Sequence, residues 1–163
     1  MLDTITSVRR VVLSVLFIGI AHHDASAQGR ASGAQSCALL SREIVAKFSA
    51  ASKTSVDPAG PKELPLGASG TACEWGDLTV QVDPMPAAAL EKLPQRDPKN
   101  WEAIQGVGDA AYLHNIKDIA AELFVRVGKR TFAVLVNVPA GTTTAAFKPA
   151  IIDVAKAIAP KLR

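Results

Sequence analysis

The chain has 163 residues, of which 48% are hydrophobic, 20% charged and 5% aromatic. This length fits one domain and excludes a large multidomain enzyme or a long repeat array. The 18 Lys and Arg residues against 15 Asp and Glu give a net charge of +3. The chain therefore lacks both the concentrated positive charge of a nucleic-acid-binding arm and the polarity of a disordered protein.

The first 27 residues have the pattern of a cleaved secretory signal peptide. Two arginines precede an apolar run over residues 11–21, and Ala25-Ser26-Ala27 then supplies the small residues of a signal-peptidase site. The apolar run is too short to span a bilayer, which takes about 20 residues. We therefore expect residues 28–163 to form a single exported domain, periplasmic or secreted, without a stable membrane span after signal cleavage.

The predicted mature domain contains two cysteines, Cys37 and Cys73. An even pair of cysteines in an oxidising compartment predicts a disulfide. The competing interpretations are a reactive thiol and a metal-binding pair. Neither is supported, because there is no Cys-x-x-Cys spacing and His114 is the one histidine after the leader. We expect no metal site and no cofactor.

A first helix is predicted to begin near Ser41, which is suited to the N-cap position. Four apolar residues of this segment fall on one helical face: Leu40, Ile44, Val45 and Phe48. From Ser52 to Thr71, three prolines and three glycines interrupt any periodic pattern. This composition predicts a long surface loop that is either functional or mobile.

A first hairpin is predicted from two short alternating segments, residues 72–75 and 78–82, around Gly76-Asp77. This register places Trp75 opposite Leu78 and Cys73 opposite Val80. The apolar side chains then share one face of the hairpin. A disulfide from Cys37 would pin the first helix onto that face.

A second hairpin has the strongest pattern in the sequence, with residues 123–127 and 130–138 around Gly128-Lys129. One face of it carries seven apolar residues: Leu123, Val125, Val127, Phe132, Val134, Val136 and Val138. On the other face, Phe124 and Leu135 form an apolar strip. An uncovered apolar patch often marks an interface, so this strip is the leading interface candidate. The alternative is that the long loop or a helix covers it.

The segment between the hairpins is predicted to contain a short helix, a tight turn and a short strand. Residues 87–93 could form a short helix that Pro94 ends, and Trp101 is interpreted as a cover on the edge of the core. The Gly106-Val107-Gly108-Asp109 segment predicts a tight turn that leads into a strand over residues 110–113. It does not fit a dinucleotide-binding loop, which needs a preceding strand, a third glycine and a following helix.

A closing helix is predicted from about Thr144 to Lys161. Its apolar residues recur at helical spacing: Phe147, Ile151, Val154 and Ile158. Pro149 implies either that the regular helix begins near Lys148 or that the helix kinks at the proline. Taken together, the segments predict an α+β fold, mainly an antiparallel sheet of about five strands with two main helices packed on one face.

Three motifs give the layout a family resemblance: Cys37-Ala38-Leu39-Leu40, Cys73-Glu74-Trp75 and the Gly-Val-Gly-Asp-Ala-Ala-Tyr segment at residues 106–112. The chain resembles small secreted bacterial proteins of unassigned function, including many actinobacterial lipoproteins. The resemblance implies an exported α+β domain with a disulfide between Cys37 and Cys73. The chain departs from the lipoproteins because it has no lipid-attachment cysteine.

No catalytic constellation is evident in the sequence. No serine lies in a Gly-x-Ser-x-Gly elbow. The nearest approach to a reactive set is Asp109 with His114, which could serve a small hydrolase or, with Asp118, bind a metal. The alternative interpretation of these three residues is that they lie in surface loops without a catalytic or metal-binding role.

The sequence favours an exported, non-catalytic binding domain of the bacterial envelope, whose partner is another envelope protein or a small ligand. The alternatives are a small periplasmic hydrolase that uses Asp109 and His114, and a structural envelope component. Nucleic acid is not an expected partner, because the basic residues are scattered without an interleaved aromatic platform.

Overall fold

A seven-stranded antiparallel sheet lies at the centre of the computed structural model, which describes residues 36–55, 57–66 and 70–163. The strands are, in chain order, β1 (Lys62–Leu66), β2 (Gly70–Trp75), β3 (Leu78–Val82), β4 (Trp101–Ala103), β5 (Ala110–Ile116), β6 (Ala120–Val127) and β7 (Arg130–Asn137). Their spatial order is β1-β2-β3-β7-β6-β5-β4. Two antiparallel meanders, β1 to β3 and β4 to β7, therefore join where β3 pairs with β7.

Two long helices cover one face of the sheet. The helices are α1 (Ser36–Leu39), α2 (Arg42–Ser52), α3 (Ala87–Leu90), α4 (Leu93–Arg96) and α5 (Thr144–Ile158), which a 3₁₀ turn extends through Leu162. The α2 helix packs on α5, and α5 packs on β6 and β7. The short α3 lies over the same two strands on the opposite face. Among the described residues, no helix has the length and apolar character needed to cross a membrane.

The predicted α+β class with an antiparallel sheet is confirmed, but the expected strand number of about five was too low. The first missed strand, β1, lies inside the segment from Ser52 to Thr71 that was expected to be loop throughout. The second, β4, begins at Trp101 and has three residues. Both are edge strands, and Pro65 within β1 is tolerated because an edge strand has one unpaired side.

Pro94 does not act as predicted, and for Pro149 the alternative of a helix that begins near Lys148 is contradicted. Pro94 lies in the first turn of α4 and does not end the preceding helical segment. Pro149 lies inside α5, which begins at Thr144, well before Lys148. The predicted signal peptide, residues 1–27, and the following residues to Gln35 lie outside the described part of the chain.

The main core lies between the sheet and the two long helices. Both predicted hairpin registers are present, with Cys73 opposite Val80 and Leu123 opposite Val134. These four side chains are buried together with Phe132, Phe147 and Ile151. At the start of α2, the Ser41 hydroxyl accepts a hydrogen bond from the N–H of Ile44, which confirms the predicted N-cap.

A disulfide joins Cys37 of α1 to Cys73 of β2, as predicted, with the two Cα atoms 4.8 Å apart. A carboxylate strengthens the same attachment. Glu63 of β1 accepts hydrogen bonds from the N–H and the hydroxyl of Ser36 and from the N–H of Cys37, each at 2.8 Å. The start of the described chain is therefore held to the first meander by one covalent link and one charged side chain.

Replacing both cysteines, Cys37→Ser with Cys73→Ser, should lower the free energy of unfolding by about 3 to 4 kcal/mol, because the bond closes a long loop in the unfolded chain. Urea denaturation of the oxidised wild type and the double variant measures the difference. Equal unfolding midpoints, or two free thiols in the denatured wild type, would contradict this prediction.

Candidate functional site

The sheet face opposite the long helices carries a second, smaller apolar cluster. Of the two alternatives for the strip of Phe124 and Leu135, cover by a helix applies to Phe124, which is buried. Leu90 of α3 is fully buried against Phe124 and Ala133. Leu135, at the margin of this cluster, is half-buried. A short helix is thus the cover, and it protects the middle of the strip but not its end.

Half-buried side chains surround this cluster. They are Met85, Leu93, Trp101, Tyr112 and Leu135, and together they form what we call the second-face patch. Within the described ranges, Trp101 and Tyr112 are the aromatic side chains that stay partly exposed, while the other aromatic residues are buried. Aromatic residues and methionine are enriched at protein interfaces, so this patch is the interface-like part of the surface.

Polar contacts hold the segment with α3 over the second cluster. Nε of Arg126 lies 3.3 Å from Oε1 of Glu91 at the end of α3, a charge contact without a hydrogen bond. The hydroxyl of Thr131 donates to the carbonyl oxygen of Met85 at 2.6 Å, and Arg130 pairs with Asp83 at 2.7 Å. These contacts anchor the segment that leaves β3, so Leu90 is placed on Phe124 although its helix has only one turn.

One edge of the patch contains a stacked pair of rings. Trp101 of β4 lies opposite His114 of β5, and their ring centroids are 4.3 Å apart with planes inclined by 9°. Across the next strand pair, Nδ1 of His114 lies 3.4 Å from Oε2 of Glu122. The sequence interpretation missed Glu122. If the residues of β5 and β6 are matched in pairs starting from the turn that joins the two strands, Glu122 falls opposite His114.

The structure does not bring Asp109 and His114 together. They are five positions apart along an extended segment, which corresponds to roughly 16 Å at about 3.3 Å per residue. The Asp109 carboxylate instead accepts a hydrogen bond from the N–H of Gly128 at 2.6 Å and lies 3.7 Å from Arg126. Asp109 therefore fastens the start of β5 to the turn between β6 and β7.

Asp118 is also occupied by a structural contact. Its Oδ1 accepts hydrogen bonds from the N–H and the hydroxyl of Thr144, each at 3.0 Å. These bonds cap α5, whose own N-cap residue makes no side-chain capping bond. Within the described ranges, the close group of possible metal ligands is Cys37, Glu63 and Cys73, and the disulfide occupies two of its three members.

A cavity of about 300 Å³ lies where the edge strand β4 faces the first turn of α5. Trp101, His114, Thr144 and Lys148 contribute to its lining. A carboxylate can orient a histidine so that the imidazole acts as a base. Catalysis by an activated hydroxyl also requires that this base contact the hydroxyl. The Thr144 hydroxyl donates to Asp118, and Lys148 pairs with a glutamate, so this cavity presents binding groups and no assembled nucleophile.

A larger groove, about 590 Å³, runs between α2 and α5. Its rim carries the ion pair of Glu43 and Lys47, with nitrogen and oxygen 2.7 Å apart. The hydrogen bond and charge of Lys47 lower the pKa of Glu43, and Glu43 raises the pKa of Lys47. The contribution of the pair to helix stability is present above the unfolded-state pKa of Glu43 and is lost as the pH falls through its lowered folded-state pKa. Both side chains are exposed, so the pair adds little to stability.

Comparisons of the chain with protein-family models, with curated proteins and with solved structures find no match.

Leu90→Ala should lower the free energy of unfolding by about 2 to 5 kcal/mol, because it removes a fully buried side chain from the second cluster. Leu93→Ala, at a half-buried position on the same covering segment, is the matched control and should cost less. Chemical denaturation measures both effects. An equal cost for the two variants would show that Leu90 does not hold the cover.

Gly108→Ala tests whether the glycine-rich turn is a structural requirement. Gly108 has φ +59°, and a Cβ there would collide with the Arg126 carbonyl oxygen and the Val125 side chain. Gly106 has φ +77° with open space around it, so Gly106→Ala should cost only the left-handed backbone penalty of about 1 to 2 kcal/mol. We expect the unfolding midpoint of Gly108→Ala to fall clearly further than that of Gly106→Ala, and equal midpoints would contradict the prediction.

Proposed function

We propose that the chain is an exported, disulfide-bonded binding domain of the bacterial envelope that recognises another protein through the second-face patch. The single observation that carries the proposal is the concentration of partly exposed Trp101, Tyr112 and Leu135 on the face opposite the long helices. Burying such side chains against a partner would remove apolar area from water, which is the main favourable term in protein association.

Support for export comes from two independent features. The leader sequence has the pattern of a signal peptide, and the disulfide between Cys37 and Cys73 is the type of bond that persists in oxidising compartments. A binding function is favoured over hydrolysis because Asp109, one of the two residues of the hydrolase alternative, accepts a hydrogen bond from Gly128 and lies apart from His114 along the extended chain. Asp118, considered as a further metal ligand, is likewise bound to Thr144.

The patch also has the composition of an energetically important interface. Tyrosine and tryptophan dominate the residues whose truncation costs most binding energy. His114 and Glu122 lie beside Trp101 and supply polar groups at the margin. A well-packed apolar centre with a polar rim is the usual arrangement in protein interfaces.

The proposal is tested with residues 28–163, immobilised and exposed to envelope extract, with each captured protein quantified. Tyr112→Ser and Leu135→Ser alter the patch. Ile44→Ser is the matched control, because Ile44 is half-buried in the groove between α2 and α5. Near-ultraviolet circular dichroism verifies that each variant is folded.

We expect the patch variants to reduce capture of a specific partner by about tenfold or more, the loss typical of an interface residue worth over 1.4 kcal/mol. The control should capture the partner as well as the wild type does. Undiminished capture by both patch variants would overturn the proposal. Stable homo-oligomers without a captured partner would instead support the structural envelope component.

A further inference from the structure

The outer edge of β4 has unpaired backbone groups. The N–H of Ile104 donates to Ala111, and the N–H of Asn115 donates to Asn100. In an antiparallel ladder the residues that bond to a neighbour alternate, so Asn100, Glu102 and Ile104 point their backbone groups toward β5. The N–H and C=O groups of the alternate residues in β4 are therefore directed away from the sheet.

The opposite edge of the sheet is protected, whereas β4 has no strand neighbour on its outer side, although the short α4 contacts it. At the far side, β1 carries Pro65, which has no N–H, and an exposed Lys62. Proline and lysine on an edge strand discourage pairing with another chain. In β4, Glu102 and Ala103 are exposed, and within the described residues the backbone N–H groups of Trp101 and Ala103 make no hydrogen bond outside the sheet.

The surroundings of the β4 edge suit a chain with alternating side chains. On the patch face, an added strand would lie beside Trp101 and the small Ala103. On the helix face, it would enter the 300 Å³ cavity, whose lining includes Lys99 and Lys148. Glu102 pairs with Lys148 at 2.5 Å. Asp118 lies behind Thr144 of the same lining. Because Lys148 is already paired, the unneutralised charge on this side of the edge is that of Lys99, which forms no ion pair within the described residues.

We propose that β4 accepts an extended peptide segment of a partner protein, which adds an eighth strand to the seven-stranded sheet. The segment has apolar residues facing Trp101 and acidic residues facing Lys99 and Lys148. Strand addition of this kind obtains affinity from main-chain hydrogen bonds and specificity from alternate side chains. The inference rests on the proposed binding function and specifies the recognition element and the chemistry of the ligand.

The probes are a synthetic library of capped heptapeptides in which valine, leucine or phenylalanine alternates with aspartate or glutamate. Binding to residues 28–163 is measured by fluorescence anisotropy, and the binding site is located by amide chemical shifts. Each bound peptide is compared with a copy N-methylated on the amides that face β4, and with a copy in which lysine replaces the acids.

We expect saturable binding, with the largest shifts at the amides of Trp101 and Ala103. N-methylation and lysine replacement should each weaken binding by about tenfold or more, because they remove the main-chain donors and the charge complementarity respectively. Lys99→Gln combined with Lys148→Gln should also weaken binding. Lys129→Gln combined with Lys156→Gln changes the net charge equally at exposed sites away from the cavity and should have little effect.

Three results would overturn the inference: no library peptide that binds below about 1 mM, full affinity in the N-methylated copies, or self-association of the domain through β4. The proposed function is judged separately by Tyr112→Ser and Leu135→Ser. If those variants lose the envelope partner while no peptide binds, the proposed function stands and strand addition falls. If peptides bind and the patch variants retain the partner, strand addition stands and the patch is not the interface.

Discussion

The pairing of β3 with β7 is the constraint on which the rest of the fold depends. It joins residues about fifty positions apart, with Val80 opposite Val134 and Val82 opposite Phe132. Without it, each meander would have an apolar face too narrow to bury the two long helices. With it, one continuous face receives α2 and α5, and the opposite face has the width to accommodate both α3 and the patch. The cost of closing so long a loop is offset by burial of these side chains.

The parts of the fold that the sequence predicted are those set by local chemistry. Both hairpins turn on a glycine at positive φ, Gly76 and Gly128, and alternation then fixes their registers. The edge strands β1 and β4 were missed because they are short and one contains a proline. Their pairing is determined by the neighbouring strand and not by their own composition. The predicted start of the closing helix at Thr144 is confirmed with Pro149 inside the helix, because packing on the sheet outweighs the local cost of the proline.

For the candidate site, the alternation of side chains along a strand correctly separated Phe124 and Leu135 from the main core. Alternation could not show which segment covers them. The cover depends on contacts between distant residues, such as the hydrogen bond from the Thr131 hydroxyl to the Met85 carbonyl oxygen. His114 was identified from its residue type, and its contact with Glu122 follows from hairpin register. Asp109 and His114 are close in sequence, but an extended strand places residues five positions apart at separate points of the sheet.

Under the proposed export, the position of the disulfide affects the order of events as the chain emerges. Cys37 lies in α1 and Cys73 in the first meander, and both precede β7 by more than fifty residues. A chain that emerges with its N-terminus first presents both thiols to the oxidising compartment before the strand that pairs with β3 has arrived. The early crosslinked fragment then carries β3 as a temporary apolar edge, which is a template for pairing between chains. In a chain exported in this way, the temporary edge persists until the C-terminal half supplies β7, which closes it.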